Sequence, residues 1–246
     1  MAPIVEGAGV ALNVVERGAG APVLLVHGLA ADAEAMAPVA GALADDARVI
    51  AYDRRGYGSS GAPEPYRGTT VEEQAQDAAA LLGALDPGPV VACGDGFGAL
   101  VALDLAKRHR ALVRALVLSD PPLYMFVPEA TEHLAAQHAE LEAAVRDGGP
   151  AAGVEAWLGG RADGPALERA RAAYGAFFAD YAGLASWPVT RRELRALDVP
   201  AVVVTGPWSP SHIVAAADAL AGLLPSATRA DDGDLVAAAR TLLASA

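Results

Sequence analysis

Five short runs of continuous apolar residues, separated by helical stretches, limit the fold of this chain more than any other feature of its sequence. The apolar runs occupy residues 23–27, 48–53, 89–93, 113–118 and 200–205. The helical stretches cover about 33–45, 71–85, 97–109 and 212–224. Continuous runs indicate strands buried on both faces, which form parallel sheets. We therefore predict an α/β fold with a doubly wound, mostly parallel sheet, and an edge hairpin strand at Val10–Glu16, where apolar residues alternate more.

The alternation of strand and helix is interrupted between the fourth and fifth runs. Residues 121–193 have a helical pattern, are rich in alanine and are divided by pairs of Gly and Pro. An insertion after a sheet strand lies at the carboxyl edge of the sheet, where ligands bind in open α/β folds. We therefore expect a helical cap over 121–193, inserted in a core formed by 1–120 and 194–246.

Composition and charge argue against several classes of protein. Hydrophobic residues make up 53% of the chain, yet no apolar run reaches the roughly 18 residues of a membrane span. The net charge of −12 disfavours binding to nucleic acid and anionic membranes. The single cysteine, Cys93, excludes an internal disulfide, and no metal-type Cys/His cluster is seen. Without a signal-peptide pattern, we expect a cytoplasmic protein that needs no metal or cofactor, and we leave a homodimer open.

Three motifs follow strands of the predicted sheet. They read His27-Gly28-Leu29, then Asp53-Arg-Arg-Gly-Tyr-Gly-Ser-Ser60, then Gly94-Asp-Gly-Phe-Gly98. In this order and spacing the chain resembles the α/β-hydrolase superfamily over nearly its whole length, with the cap least similar. The resemblance implies an α/β-hydrolase core with its site at the carboxyl edge of the sheet. The glycines of the third motif lack the full dinucleotide spacing, since position 101 is Val, so we expect no flavin or nicotinamide.

The third motif takes the place of the family's nucleophile elbow, G-x-S-x-G, a sharp turn between strand and helix that presents the nucleophile. The glycines and the following helix give a register in which Gly96, which has no side chain, stands at the nucleophile position. A second register makes Asp95 the nucleophile, as in dehalogenases and epoxide hydrolases. That register puts Phe97 where a small residue belongs.

The other two triad positions also differ from the family's pattern. The histidine loop corresponds to 227–234, where Asp234 stands in place of His. The acid loop corresponds to 206–212, where Ser209 or its neighbour stands in place of Asp. The resemblance therefore indicates a naturally divergent member without the Ser-His-acid triad.

The family's oxyanion hole needs only backbone N–H groups, which the resemblance assigns to Leu29 and Phe97. Asp95 is either an acid or base in a partly dry pocket, with its pKa raised by burial, or the partner of a neighbouring Arg. His212 either begins the helix after the fifth apolar run or takes part in acid–base chemistry near neutrality. These four residues are our candidates for catalysis.

Eight further positions are candidates for contact with a substrate. They are His27, Gly28, Gly96, Asp120, Tyr124, Trp157, Trp187 and Trp208. Structural interpretations compete with these roles: His27 can brace a loop, Asp120 can form a turn, and aromatic residues can fill a core. We expect at least two of the four aromatic residues to face the ligand cavity, and Gly96 to widen its floor.

A site that can polarise a carbonyl but has no nucleophile suits proton transfer, enolate chemistry, elimination or ring closure. Because divergent members of the superfamily are found in such roles, the resemblance implies a cofactor-independent, non-hydrolytic enzyme of cyclase, isomerase or lyase type, with natural-product biosynthesis as a possible setting. Its substrate would be a bulky, largely apolar small molecule, and its partners would include no nucleic acid or membrane. Two alternatives stay open. One is a small-molecule binding protein without chemistry, and the other is a hydrolase that activates water with Asp95 or His212.

Overall fold

A computed structural model describes residues 4–128, 130–184 and 186–245. It contains one eight-stranded sheet with the order β1-β2-β4-β3-β5-β6-β7-β8. The strands are β1 Ile4–Glu6, β2 Ala11–Arg17, β3 Ala21–Val26, β4 Ala47–Tyr52, β5 Val90–Asp95, β6 Val113–Ser119, β7 Ala201–Val204 and β8 Ala227–Ala230. From β4 through β8 all neighbours are parallel, and the hairpin of β1 and β2 joins the sheet antiparallel to β4. The predicted fold class is confirmed.

Helices cover both faces of this sheet. They are α1 Ala37–Leu43, α2 Val71–Leu85, α3 Phe97–Arg108, α4 Ala130–Gly148, α5 Pro150–Leu158, α6 Gly164–Ala172, α7 Tyr174–Leu184, α8 Arg191–Ala196, α9 Ser211–Ala221 and α10 Leu235–Ala244. Among the residues described, none of these helices is long and apolar enough to cross a membrane.

Successive residues of the central strands belong to opposite faces of the sheet, because side chains alternate along a strand. In β3, Leu24 and Val26 pack with α2, α3 and α9, whereas Val23 and Leu25 pack with α1 and α10. The central strands are therefore apolar at most positions along their length. This two-sided burial explains why the sequence shows continuous apolar runs.

The sequence prediction locates β2 to β7 and four of the helices of the core, but not the last strand and helix. Strand β8 has the sequence Ala-Thr-Arg-Ala, lies at the sheet edge and is not buried. Such a short and polar strand has no apolar run, so residues 227–234 read as a loop. Helix α10 follows it and closes the face opposite α2 and α3.

Between β6 and β7 the chain forms helices α4 to α8. We use the name cap segment for residues 121–193; its boundaries as a domain stay a prediction. One apolar cluster joins Ala30 of the core to Leu141, Val154 and Phe177 of the cap segment. A fully buried ion pair between Arg54 and Asp180 of α7, at 2.7 Å, ties the same two parts together.

Candidate active site

A cavity of about 960 Å³ lies between the carboxyl edge of the sheet and the cap segment. Its core side includes the ends of β3, β5 and β6 and the loop after β7, and its other side includes α4, α5 and α7. The residues that line it include Gly28, Leu29, Asp95, Gly96, Phe97, Asp120, Tyr124, His138, Trp157, Arg161, Tyr181, Trp187, Trp208 and His212.

Gly96 lies at the turn between β5 and α3, with φ 52° and ψ −118°. The neighbouring glycines fix this turn, because a Cβ on Gly94 would collide with the carbonyl of Gly98 and one on Gly98 with the carbonyl of Val26. A Cβ on Gly96 itself would meet only the Cα of Gly28, at 3.9 Å. Position 96 is therefore the apex of the turn, and the space above it belongs to the cavity.

Leu29 and Phe97 present backbone N–H groups beside this apex. The carbonyl of Gly28 accepts a hydrogen bond from Arg54 Nη2 at 2.8 Å. In a trans peptide the next N–H points the opposite way, so the Leu29 N–H points away from buried Arg54. The carbonyl of Gly96 accepts from Ala99 N at 3.0 Å, which likewise directs the Phe97 N–H out of the helix start.

Neither N–H has a hydrogen-bond acceptor in the described part of the chain. The Phe97 group also stands at the N-terminus of α3, where the helix dipole favours negative charge. Together the two donors form a site suited to a carbonyl oxygen that gains negative charge during a reaction.

His27 does not line the cavity, which differs from the expectation of substrate contact. Its ring is fully buried. Nε2 accepts from Arg54 N at 2.9 Å, and Nδ1 lies 2.9 Å from the Gly28 carbonyl. Burial lowers the pKa of His27 well below its usual value, and the Arg54 charge adds to this. His27 therefore supports the loop that carries Gly28 and Leu29.

Asp95 is the ionisable group next to the apex. Ser119 Oγ donates to Asp95 Oδ1 at 3.0 Å. The other oxygen lies against Gly28, since a Cβ on Gly28 would stand 3.2 Å from Asp95 Oδ2. Burial raises the pKa of Asp95, and the charge of Asp120 raises it further, against the opposing effects of Ser119 and Arg161. One alternative was an ion pair between Asp95 and a neighbouring arginine. Among the described residues no arginine nitrogen lies within 4 Å of the Asp95 carboxylate, and Arg161 acts on it only through space.

Asp120 follows β6 in a left-handed conformation, with φ 43°. Ser209 Oγ donates to Asp120 Oδ1 at 2.6 Å, and Gly206 N donates to Ser209 Oγ at 2.8 Å. Burial raises the pKa of Asp120, partly offset by Ser209 and by arginine charges. The carboxyl group that contacts the loop after β7 is therefore that of Asp120, which follows β6 rather than β7.

His212 lies in the first turn of α9 and lines the cavity. Its Nδ1 is buried and has no hydrogen-bond partner among the residues described. Its ring lies 5.0 Å from that of His133 and 5.7 Å from that of Tyr124. Burial lowers the pKa of His212, and the His133 charge lowers it further, so the neutral imidazole is favoured.

All four aromatic candidates contribute to the cavity wall. Trp187 is 3% exposed, and its Nε1 donates to Asp104 Oδ1 at 3.0 Å. Trp157 packs edge-on against Phe177 at 5.3 Å. Trp208 is 70% exposed, so it stands at the edge of the cavity rather than in its interior.

The loops after β7 and β8 carry the positions that the sequence resemblance assigns to the acid and the histidine of the triad. Asp234 is exposed and caps α10, accepting from Ala237 N at 2.8 Å. The Trp208 ring packs tightly on Gly206 and Gly233, where an added Cβ would collide with it. The indole therefore bridges the two loops while most of its surface stays exposed.

The lining also includes residues that were not among the predicted ligand contacts, among them Arg161, His138 and Tyr181. The rings of His138 and Tyr181 stack with their centres 6.2 Å apart, and the His138 side chain is 57% exposed. Arg161 follows α5 and has no motif around it. Only the packing of the cap segment brings these residues to the site. Across the described residues, no group of three or more Cys, His, Asp or Glu has a metal-binding arrangement.

The sequence profile of the alpha/beta hydrolase fold family matches residues 21–151. Two curated relatives align over part of the chain. An uncharacterized hydrolase, YraK, from Bacillus subtilis is 37% identical over 48% of this chain and 43% of its own. A 2-(acetamidomethylene)succinate hydrolase from Mesorhizobium japonicum is 33% identical over 62% of this chain and 52% of its own. The chain thus aligns with about half the length of these relatives.

Solved structures of other proteins are similar to this fold over nearly the whole chain. A thermophilic esterase from Thermogutta terrifontis with malate bound has a TM-score of 0.75 at 26% identity, covering 99% of this chain and 96% of that one. An alpha/beta hydrolase from Sphaerobacter thermophilus has a TM-score of 0.76 at 24% identity, covering 98% and 99%. At 24% identity, the similarity to the Sphaerobacter thermophilus protein supports the fold but not a shared function.

Proposed function

Because this chain belongs to the α/β hydrolase fold family, whose members are mostly enzymes, we propose that it is an enzyme acting on a carbonyl group by acid–base chemistry without a covalent intermediate. The reaction would be of isomerase, cyclase or lyase type and would need no cofactor. The substrate would be a bulky, largely apolar small molecule, in keeping with a cavity of about 960 Å³ lined by tryptophan and leucine side chains.

One observation carries the proposal. Two N–H groups, from Leu29 and Phe97, have no acceptor in the described chain and flank an apex at Gly96 that offers no nucleophile. The carboxyl group of Asp95 lies directly beside them, with one oxygen held by Ser119 and the other next to Gly28. This arrangement can polarise a carbonyl and move a proton, but it holds no side chain at the apex for attack.

The proposed mechanism begins with the substrate carbonyl oxygen between the N–H groups of Leu29 and Phe97. Asp95 in its carboxylate form removes a proton from the carbon next to the carbonyl, and the electron pair of that C–H bond forms an enolate. The two N–H groups stabilise the enolate oxygen. The protonated Asp95 then returns the proton to another carbon, which gives isomerisation, or to a leaving group, which gives elimination.

The raised pKa of Asp95 suits this role. A carboxylate with a raised pKa is a stronger base than an ordinary one, and general acid–base catalysis works best when the pKa approaches the working pH. His212, which lines the same cavity as a neutral imidazole with an unpartnered, buried Nδ1, is the second candidate base.

The triad positions support the same proposal. Gly96 stands at the apex, Ser209 stands in the acid loop, and Asp234 caps α10 away from the cavity. Trp208 packs on a glycine of each of the last two loops. Differences from the family's pattern at all three positions favour a changed reaction over the loss of a single catalytic group.

A hydrolase is the second candidate, favoured by the names of the relatives, which include a succinate-derivative hydrolase and an esterase. In that case Asp95 or His212 would activate a water molecule, and the same two N–H groups would stabilise the tetrahedral intermediate. A third possibility, ligand binding without chemistry, uses the same cavity.

Matched carbonyl compounds in D₂O, followed by NMR, separate these functions. The panel pairs apolar ketones and enones with esters and lactones of the same carbon skeleton. Acid–base chemistry predicts deuterium at the carbon next to the carbonyl, or migration of a double bond, with esters left intact. Ester or lactone cleavage that depends on Asp95 or His212 would instead establish the hydrolase, and binding without any product would establish a receptor.

A further inference from the structure

Arg161 is held at the cavity wall by groups that leave its charge unneutralised. Nε donates to the carbonyl of Leu158 at 2.8 Å, and Nη2 donates to the carbonyl of Trp157. The guanidinium also lies over the Trp157 ring, 4.4 Å from its centre. A guanidinium has five N–H donors, and two of them are used here. The end with Nη1 therefore keeps donors free for a ligand.

No carboxylate of the described chain lies within 4 Å of the Arg161 guanidinium, although the nearby cap arginines are paired. Arg169 pairs with Asp32 at 2.6 Å, and Arg171 lies near Glu155 at 3.7 Å. Part of Arg161 stays exposed to solvent. Burial of the rest lowers its pKa, against the opposing charges of Asp95, Tyr124 and Asp120. Because the guanidinium has no close counterion, it is free to pair with an anion that enters the cavity.

The carboxyl groups across the cavity do not replace that anion. Asp95 is bonded to Ser119, and Asp120 is bonded to Ser209. Burial raises the pKa of both groups, which reduces the negative charge that they offer to Arg161. Both act on Arg161 only through space.

We infer that Arg161 binds a carboxylate of the ligand, so that the substrate is an apolar carbonyl compound that also carries a carboxylate. The free end of a fixed guanidinium matches a carboxylate with two parallel hydrogen bonds. The carboxylate would lie against α5 while the carbonyl lies at Leu29 and Phe97. The carbonyl part of this inference rests on the proposed function; the carboxylate part does not.

The test is a binding measurement that requires no turnover. Calorimetry compares a series of phenylalkanoates of increasing chain length with the primary amides of the same acids, on the native protein and on Arg161→Gln. We expect at least one acid to bind about tenfold more tightly than its amide, and this ratio to fall to about one in Arg161→Gln. The affinity for the amide should be unchanged, which also shows that the variant is folded.

Two further variants sharpen the result. Arg161→Lys should keep part of the preference for the acid, because it retains the charge without the planar fork. Arg171→Gln, a cap arginine outside the cavity lining, should behave as the native protein. Equal affinity for acid and amide in the native protein, an unchanged ratio in Arg161→Gln, or no binding by any acid would overturn the inference. Acid binding through Arg161 without proton exchange would instead refute only the proposed function.

Discussion

Ser119 Oγ donates a hydrogen bond to Asp95 Oδ1 at 3.0 Å, between the ends of two neighbouring parallel strands. Strand pairing sets this contact, because Asp95 and Ser119 are directly paired residues of β5 and β6. The bond fixes one carboxyl oxygen, and the other lies against Gly28, the residue before Leu29. A base beside a carbonyl-binding pair of N–H groups thus follows from the register of the sheet.

Asp95→Asn should stabilise the fold at neutral pH. The folded protein raises the pKa of Asp95 above its value of 3.8 in a model compound, through burial and Asp120, against Ser119 and Arg161. A carboxyl group whose pKa is raised by folding stabilises the folded state at pH values below its pKa in the unfolded chain. This stabilisation is lost as the pH rises through the pKa of the group in the folded protein. Urea denaturation should therefore show Asp95→Asn gaining stability over the native protein from pH 4 to pH 8. A gain that is constant across this range would contradict the raised pKa.

Removing one member of the buried pair between core and cap should be costly. Asp180→Asn leaves the Arg54 charge, which is fully buried, without its carboxylate. We expect a loss of about 3–5 kcal/mol in the free energy of unfolding, because the remaining charge is buried and uncompensated. Arg48→Gln, which breaks a half-exposed pair with Glu16, is the control and should cost less than about 1 kcal/mol. Similar losses in both variants would show that the buried pair has no special role.

Gly96→Ser and Gly96→Leu test the space above the apex. Both variants place a side chain on a residue with φ 52°. The free energy of unfolding should therefore fall by about 1–3 kcal/mol in each, because of the same backbone strain. Gly96→Ser should not react with a serine-directed phosphonate if Asp234, as the sequence resemblance predicts, replaces the family's histidine base. Asp234 is engaged in capping α10.

Any difference in ligand affinity between the two variants then reports side-chain volume, because the backbone strain is matched. We expect Gly96→Leu to weaken binding of the tightest phenylalkanoate while Gly96→Ser changes it little. Native affinity in a folded Gly96→Leu protein would show that ligands do not use this space. A phosphonate adduct on Gly96→Ser would show that a working base lies nearby.

Much of the fold could be predicted because it depends on local patterns. Strands buried on both faces must be continuously apolar, and the glycines at 94 and 98 must be small to avoid the carbonyls around them. The elbow, and with it the places of Gly96, Leu29 and Phe97, therefore follows from short motifs. Strand β8 could not be found, because an exposed edge strand of four residues has no such pattern.

The polar part of the site was less predictable, because it depends on contacts between residues far apart in the chain. His27 was expected near the substrate. Its ring is instead buried, and its Nε2 and its backbone carbonyl both accept hydrogen bonds from Arg54. Arg161 reaches the cavity only through the packing of α5 against the core. Neither contact can be predicted from the residues that are neighbours in the sequence.

Solvent exchange measured by proton NMR on the native protein and on Asp95→Asn tests the central claim most directly. The probe is a phenylalkyl keto acid in D₂O, whose protons next to the ketone can be followed as they are replaced. We predict exchange above background with the native protein and a fall of about 10²–10⁴-fold in Asp95→Asn, with binding of the probe retained. Equal exchange rates in the two proteins, or no exchange with the native protein although the probe is bound, would contradict the claim that Asp95 moves a proton at this carbonyl site.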